Sequence, residues 1–246
     1  MRVTVLGGQG LLGSRLIPLL IEVGNEVTVA SRSAATKVDL ETGEGLERAV
    51  EDADVVVHLA SDPRKPRKVD IAGTARLLDA LDGQHVFYLS IVGVDRHPFS
   101  YYQAKHEAEQ LITESGLPYT ILRATQFHDF VAYFLGAAIK YPLALVPKRF
   151  VFQPVDTDEV AREMATLIHT RRPGLQPDFA GPEVHTAEHL ARSLMTAKGR
   201  RRPMINLPVP GESARAFRAG AHTNPDQAVG RRTWGQYLEE RFQKRR

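Results

Sequence analysis

Short apolar runs alternate with amphipathic stretches along the first half of the chain. The runs at 2–6, 26–30, 54–59, 85–89 and 119–123 are rich in Val, Ile and Leu and read as strands. The stretches near 11–23, 44–51, 68–81 and 101–115 carry apolar residues at helical spacing. The strands are nearly continuous in aliphatic residues, as strands covered on both faces are. Strand–helix alternation of this kind predicts an α/β fold: a doubly wound parallel sheet with helices on both faces. Pro18 falls inside the first helical pattern and predicts a kink or an early break there.

The rhythm changes after residue 124. A helix near 126–140 is followed by an apolar run at 150–155 and a helix from Thr157 or Asp158 to about His169. A short strand near 178–180 leads into Gly181-Pro182-Glu183. Thr186 caps a helix that runs to Lys198, with Gly199 as its stop. Residues 203–246 are rich in Pro, Gly and Arg and give no clear pattern. The chain is expected to be one domain over residues 1–246, in which residues from about 125 onward form a smaller substrate-binding lid over the sheet's C-terminal edge.

Composition narrows the function classes. Hydrophobic content of 43% and charged content of 25% are those of an ordinary soluble globular protein. The absence of cysteine excludes disulfides, zinc–thiolate sites and thiol nucleophiles, and it is compatible with a reducing cytoplasm, the expected location. The longest apolar run, Phe130 to Ile139, is about half of the ~20 residues that a bilayer requires. No membrane partner and no targeting segment are expected. Net charge is +3, but residues 171–246 carry 15 Lys/Arg against 7 Asp/Glu. Those arginines are scattered and lack interleaved aromatics, so they read as a solvated surface and no nucleic-acid partner is expected.

The first candidate site follows the first strand. Gly7-Gly8-Gln9-Gly10-Leu11-Leu12-Gly13 lies between that strand and a helix. In this setting Gly7 permits a tight turn, Gly10 lets the backbone approach a pyrophosphate, and Gly13 lets the helix pack closely on the strand. The helix N-terminus then offers N–H groups to the anion. Cofactor choice depends on the end of the second strand, Ala30-Ser31-Arg32-Ser33. A fold selective for NAD places a carboxylate there to bond the ribose 2′-hydroxyl. Here a guanidinium stands where a 2′-phosphate would lie, and Ser31 and Ser33 add donors. The expected cofactor is NADP(H) in preference to NAD(H), with Asp39 beside the adenine.

The second candidate site is Tyr101-Tyr102-Gln103-Ala104-Lys105. Tyr101 and Lys105 are four apart and share a helix face. A nearby ammonium is expected to bring the phenol's pKa toward the working range. His185-Thr186-Ala187-Glu188-His189 matches an inverted zinc-protease spacing. Thr186 is expected to cap the helix, which leaves His185 outside it, so no metal site is expected. His58, in an apolar strand, reads as a core histidine.

These residues together resemble the short-chain dehydrogenase/reductase superfamily, and more narrowly its atypical, NmrA-like NAD(P)-binding branch. The resemblance rests on the glycine loop, Arg32, Val57-His58-Leu59-Ala60-Ser61, Ser90-Ile91-Val92-Gly93, the Tyr–Lys pair and Leu122-Arg123-Ala124-Thr125-Gln126-Phe127. It implies a Rossmann fold, with Leu59, Ala60 and Ser61 along the cofactor and Ala124 and Thr125 flanking the nicotinamide. It also implies catalytic roles for Tyr101, Lys105 and Ser90. Many active members carry a second serine after the one matching Ser90, where this chain has Ile91, and a proline where it has Ala124.

Two functional classes therefore stand. The first is an NADPH-dependent oxidoreductase that passes a hydride to a carbonyl, quinone or similar small acceptor, with Phe127 and Phe130 among the substrate contacts. The second is a non-catalytic NADP(H) sensor with a protein partner. A sugar-nucleotide epimerase is a third reading, and Arg32 argues against it. A homodimer is compatible with either main class.

Overall fold

The computed structural model describes residues 1–242. The chain opens with β1 (Arg2–Leu6), α1 (Gly13–Glu22), β2 (Glu26–Ser31), β3 (Thr36–Lys37), α2 (Leu46–Val50) and β4 (Val55–His58). A π-turn at Arg67–Ile71 leads into α3 (Ala72–Asp79), then β5 (His85–Ile91), α4 (Ser100–Glu114) and β6 (Tyr119–Ala124). Next come α5 (His128–Ala138), β7 (Ala144–Pro147), β8 (Val151–Phe152), α6 (Thr157–Thr170) and β9 (Gly174–Leu175). The remaining elements are β10 (His185–Thr186), α7 (Ala187–Ala197), β11 (Met204–Leu207), α8 (Glu212–Ala219), a 3-10 turn at Pro225–Gln227 and α9 (Trp234–Phe242).

The chain divides into two compact units. The first comprises Met1–Asp95, Phe99–Arg123 and Asp158–Pro177. It holds a seven-stranded parallel sheet in the order β3-β2-β1-β4-β5-β6-β9, a Rossmann-like arrangement. Strand order reverses between β1 and β4, and a crevice opens at the carboxyl ends of strands flanking such a switch point. Residues Val55 to His58 of β4 are wholly buried, which accounts for their aliphatic run. Leu6, Val56, Leu77 and Val50 pack on one face. Leu16 and Leu20 of α1 are fully buried, each contributing about 1.5–3 kcal/mol on burial. That packing offsets the hydrogen bond lost at Pro18, and α1 runs unbroken to Glu22 instead of stopping early.

The second unit comprises Arg96–Pro98, Ala124–Thr157 and Asp178–Arg246. Its core joins Val131 and Leu135 of α5, Leu190 and Leu194 of α7, and Trp234 and Leu238 of α9. Two small sheets complete it: β10 antiparallel to β8, and β11 parallel to β7. β11, α8 and α9 lie within residues 203–246, where no clear pattern showed, and β7 was not expected. The strand expected near 178–180 is instead a single bridge between Ala124 and Phe179, while β9 forms at Gly174–Leu175. Lys244, Arg245 and Arg246 of the basic C-terminal third lie outside the described residues. Among the described residues, no helix is long and apolar enough to cross a membrane.

Candidate functional site

In the first unit the glycine loop leaves β1 through Gly7, whose φ of +79° is one that L side chains rarely adopt. A Cβ on Gly7 would lie 2.8 Å from the Ala60 nitrogen, in the loop after β4. A Cβ on Gly13 would lie 2.4 Å from the Gly8 carbonyl oxygen. Gly7 thus lets two loops approach at the switch point, and Gly13 lets α1 start against the turn. Gly8 packs, since its Cβ would meet Ile17 and Val29 at 3.0 Å. The first bond of α1 runs from the Ser14 N–H to the Gly10 carbonyl at 3.0 Å. The N–H groups ahead of it, at Leu11, Leu12 and Gly13, lie at the helix N-terminus, where backbone donors can meet an anion.

A cleft of about 220 Å³ opens beside this loop. Gly7, Gly10, Ser31, Arg32, Asp39, Leu59, Ala60 and Ser61 all line it. The Gln9 side-chain oxygen accepts hydrogen bonds from the Ser31 and Ser33 hydroxyls, each 2.6 Å long. The two serines are therefore tied to the glycine loop instead of standing open as donors. Arg32 is exposed and makes no hydrogen bond or ion pair among the described residues. Asp39 accepts the Glu41 N–H at 2.8 Å, which fixes the turn after β3.

Glu41 was not singled out in the sequence. Its carboxylate bonds the ammonium groups of Lys65 and Lys68 at 2.8 and 2.9 Å, and these contacts hold its pKa down at about 2. The lysines lie 24 and 27 residues from it, a pairing that no local spacing reveals. The glycine cradle, the helix N-terminus and the unengaged guanidinium are the donor set that a phosphate-bearing dinucleotide requires, and the residues present fit such a group.

The acid–base candidates lie on α4 and β5. Tyr101 and Lys105 start from one helix face but bond to different groups. The Tyr101 hydroxyl is 2.9 Å from the Ser61 Oγ, which lines the cleft beside the glycine loop. The Lys105 ammonium donates to the Leu89 carbonyl at 2.8 Å and sits 4.0 Å above the Tyr88 ring. Burial pushes the Tyr101 phenol up to about 12 and the Lys105 ammonium down to about 8. The expected lowering of the phenol by the lysine is not present in this arrangement, because desolvation dominates both groups. Ser90 is buried, and its Oγ makes no hydrogen bond among the described residues. Strand alternation puts Ser90 on the same face of β5 as Tyr88, over which the lysine lies, and turns Ile91 to the other face.

Asp70 is a second residue that sequence reasoning missed. It sits in the π-turn ahead of α3, only 1% exposed. The Ser61 hydroxyl donates to Asp70 Oδ1 at 2.6 Å, and the Asp62 N–H approaches Oδ2 at 3.3 Å. Its signal in the sequence was a carboxylate in register, at i, i+4 and i+7, with the buried residues Thr74 and Leu77. His58 is fully buried, as a core histidine, with its Nε2 3.0 Å from the Thr74 hydroxyl.

The other predicted residues belong to the second unit. Ala124 is buried at the end of β6, and the Thr125 hydroxyl accepts the Gly181 N–H at 3.0 Å. Phe127 precedes α5 at its N-cap, and Phe130 is 52% exposed on that helix. Thr186 caps α7 by accepting the His189 N–H at 3.2 Å, which leaves His185 in β10. The rings of His185 and His189 stack with centroids 4.8 Å apart, and no cluster of three ligating side chains forms among the described residues.

Comparison with known proteins bears on the family and the fold. The profile of a family described as NAD(P)H-binding matches residues 7–171. An NADPH-dependent quinone oxidoreductase from Escherichia coli, solved with NADPH, aligns at a TM-score of 0.81 and 16% identity, over 97% of this chain and 99% of that one. A nucleoside-diphosphate-sugar epimerase from Staphylococcus aureus aligns at 0.80 and 17% identity, over 97% and 100% of the two chains. A UDP-glucuronic acid 4-epimerase from Bacillus cereus, solved with UDP-glucuronic acid and NAD, aligns at 0.79 and 17%, over 99% and 98%. No curated protein matches the sequence. At these identities the solved structures establish the fold and not the reaction.

Proposed function

Because the chain belongs to the NAD(P)H-binding family, we propose that it is an NADPH-dependent oxidoreductase of the short-chain, NmrA-like type. Its acceptor would be a carbonyl, quinone or similar small molecule. The observation that carries this reading is the 2.9 Å contact between Tyr101 and Ser61, which sets a phenolic acid against the lining of the cofactor cleft. When bound, the cofactor supplies the hydride. The chain's own residues do the rest. Tyr101 gives the proton to the acceptor oxygen, and Ser90 holds that oxygen. Lys105 keeps a positive charge beside the reacting groups.

Arg32 supports NADPH over NADH, since its guanidinium is uncommitted and suited to a phosphate. Gly7, Gly10 and the N-terminus of α1 would take the pyrophosphate, with Asp39 beside the adenine. The quinone oxidoreductase among the similar structures binds NADPH, which supports the same choice. Phe127 and Phe130 are the candidate substrate contacts. The absence of cysteine suits a reducing cytoplasm.

A second reading has its own observation. Phe130, Tyr133 and Phe134 of α5 are 52, 77 and 48% exposed, an aromatic surface that suits a protein partner of a non-catalytic NADP(H) sensor. One experiment separates the two. Purified protein is given NADPH with a panel of quinones, dyes and aldehydes. Reduction of one class, lost in Tyr101→Phe, supports the oxidoreductase. Tight NADPH binding with no acceptor reduced supports the sensor.

A further inference from the structure

We propose that Asp70 is a proton-relay residue that acts on Tyr101 through the Ser61 hydroxyl, returning to the phenol the proton it gives to the acceptor. The proposal rests on the oxidoreductase reading. Three oxygens form one continuous chain in the first unit. The Tyr101 hydroxyl lies 2.9 Å from the Ser61 Oγ, which lies 2.6 Å from Asp70 Oδ1. Tyr101 and Asp70 are 31 positions apart in the sequence, and Ser61 is the single atom bridge that joins them.

A serine hydroxyl has one proton, so the chain has two polarities. With Asp70 ionised, Ser61 donates to Asp70 and Tyr101 donates its own proton to Ser61. The phenolic proton is then directed away from any acceptor. With Asp70 protonated, Asp70 donates to Ser61, Ser61 donates to the phenolic oxygen, and the phenolic proton is released to point elsewhere. Only the second polarity serves a reduction.

The transfer balances. The Tyr101 O–H bond breaks as the acceptor O–H bond forms. The Ser61 proton passes to Tyr101, and the Asp70 proton passes to Ser61. Three protons each hop once, so that the net result is one proton lost by Asp70 and one gained by the acceptor; the two electrons arrive with the hydride. Asp70 is left as a carboxylate and regains its proton from water by way of Ser61, an exposed residue.

The surroundings suit a carboxyl that changes state. Asp70 is 1% exposed, and burial raises its pKa, with Asp62 acting in the same direction. Lys105 on α4 opposes that rise and stabilises the carboxylate after transfer, as do the hydrogen bonds from Ser61 and the Asp62 N–H. From β5, Tyr88 faces Asp70 as a neutral phenol, its pKa raised well above the ordinary value by burial. From β4, His58 stands behind Thr74, whose hydroxyl donates to the Asp70 backbone carbonyl at 2.5 Å. A merely structural Asp70 would staple the loop after β4 to the π-turn, and nothing at Tyr101 would respond to its titration.

The test uses the full chain with tyrosine labelled at the ring carbon bonded to oxygen, as wild type, Ser61→Ala and Asp70→Asn. The Tyr101 carbon resonance is followed against pH without added ligand. The expected result is an inflection in the wild type as Asp70 titrates, lost in both variants. Ser61→Ala keeps the test sound if Asp70→Asn does not fold, because Ser61 is exposed. No inflection in the wild type, or one that survives Ser61→Ala, overturns the proposal. In turnover with NADPH and a quinone, kcat of the wild type falls as pH rises through that inflection. Ser61→Ala is expected to be roughly tenfold slower and flat there, less than the ~10²-fold or more that loss of the general acid itself costs, because Tyr101 is kept. An inflection in a protein that reduces no acceptor supports the coupling and overturns the oxidoreductase reading. Turnover without an inflection overturns the relay and leaves that reading standing.

Discussion

Tyr101 and Ser61 join through their hydroxyls at 2.9 Å, although they lie 40 residues apart on α4 and the loop after β4. The pairing changes what the helix motif means. Lys105, four residues on, bonds the Leu89 carbonyl, so the nearest polar neighbour of the phenol is a serine of the cleft lining. Burial holds the phenol near 12, which keeps it protonated at neutral pH. A group in that state is an acid and not a base, as a reductase working in the NADPH-consuming direction requires.

Tyr101→Phe therefore removes the proton donor while keeping the ring. The expected loss is about 10²-fold or more in kcat, with NADPH affinity changed little. Steady-state kinetics with the best acceptor and a fluorescence titration of NADPH check the two halves. An unchanged kcat would remove Tyr101 from the chemistry.

Arg32→Asp tests the cofactor preference. Loss of charge-assisted hydrogen bonds costs about 1.5–3 kcal/mol, roughly ten- to a hundredfold in Kd. The loss is expected for NADPH and not for NADH, since only the former carries the phosphate. Equal weakening of both would place Arg32 away from the 2′ position. The companion change Glu41→Gln frees Lys65 and Lys68 and is expected to tighten NADPH.

Much of the cleft was legible because its residues act through local geometry. Gly7, Gly10 and Gly13 are spaced by the turn itself, and Arg32 directly follows β2, so strand ends and glycines suffice to find them. The cap at Thr186 and the break it imposes between His185 and α7 were legible for the same reason. What escaped was non-local. Glu41 meets Lys65 and Lys68, and Ser61 meets Asp70 and Tyr101, only after the sheet has brought separate loops to one edge. The pattern also failed where elements are short: β3, β9, β8 and β10 are two residues each, too few for any period to show.

Gly7→Ala is expected to damage both stability and binding. The φ of +79° disfavours alanine, and its Cβ would lie 2.8 Å from the Ala60 nitrogen. Backbone strain of this kind costs about 1–3 kcal/mol. Urea denaturation reads the first effect and NADPH titration the second. Gly24→Ala, at φ +82° with nothing within 4 Å, carries the strain without the clash. It is expected to lower stability and leave NADPH affinity unchanged. Equal loss of binding in both variants would deny Gly7 its special place at the cleft.

His58 gives the fold a defined sensitivity to acid. Thr74 uses its hydroxyl proton on the Asp70 carbonyl, so His58 Nε2 donates to Thr74 and the proton sits on Nε2. Nδ1 is then buried with no partner, and protonating it would create a charge without an acceptor. Burial first, and Lys105 second, lower the pKa of His58 to about 3 from an ordinary 6.5. A folded value below the unfolded one means that the neutral form is the one the fold holds. The stability linked to His58 is therefore complete above the unfolded value of 6.5 and is lost as pH falls from there toward 3. At pH 5 the loss reaches about 2 kcal/mol. His222, in the second unit, is lowered to about 3 in the same way and adds its own loss. Urea midpoints across this range, for wild type and His58→Gln, measure the proton uptake on unfolding. The variant is expected to show a shallower acid slope, by about one proton. Identical slopes would mean that His58 is protonated in the folded protein.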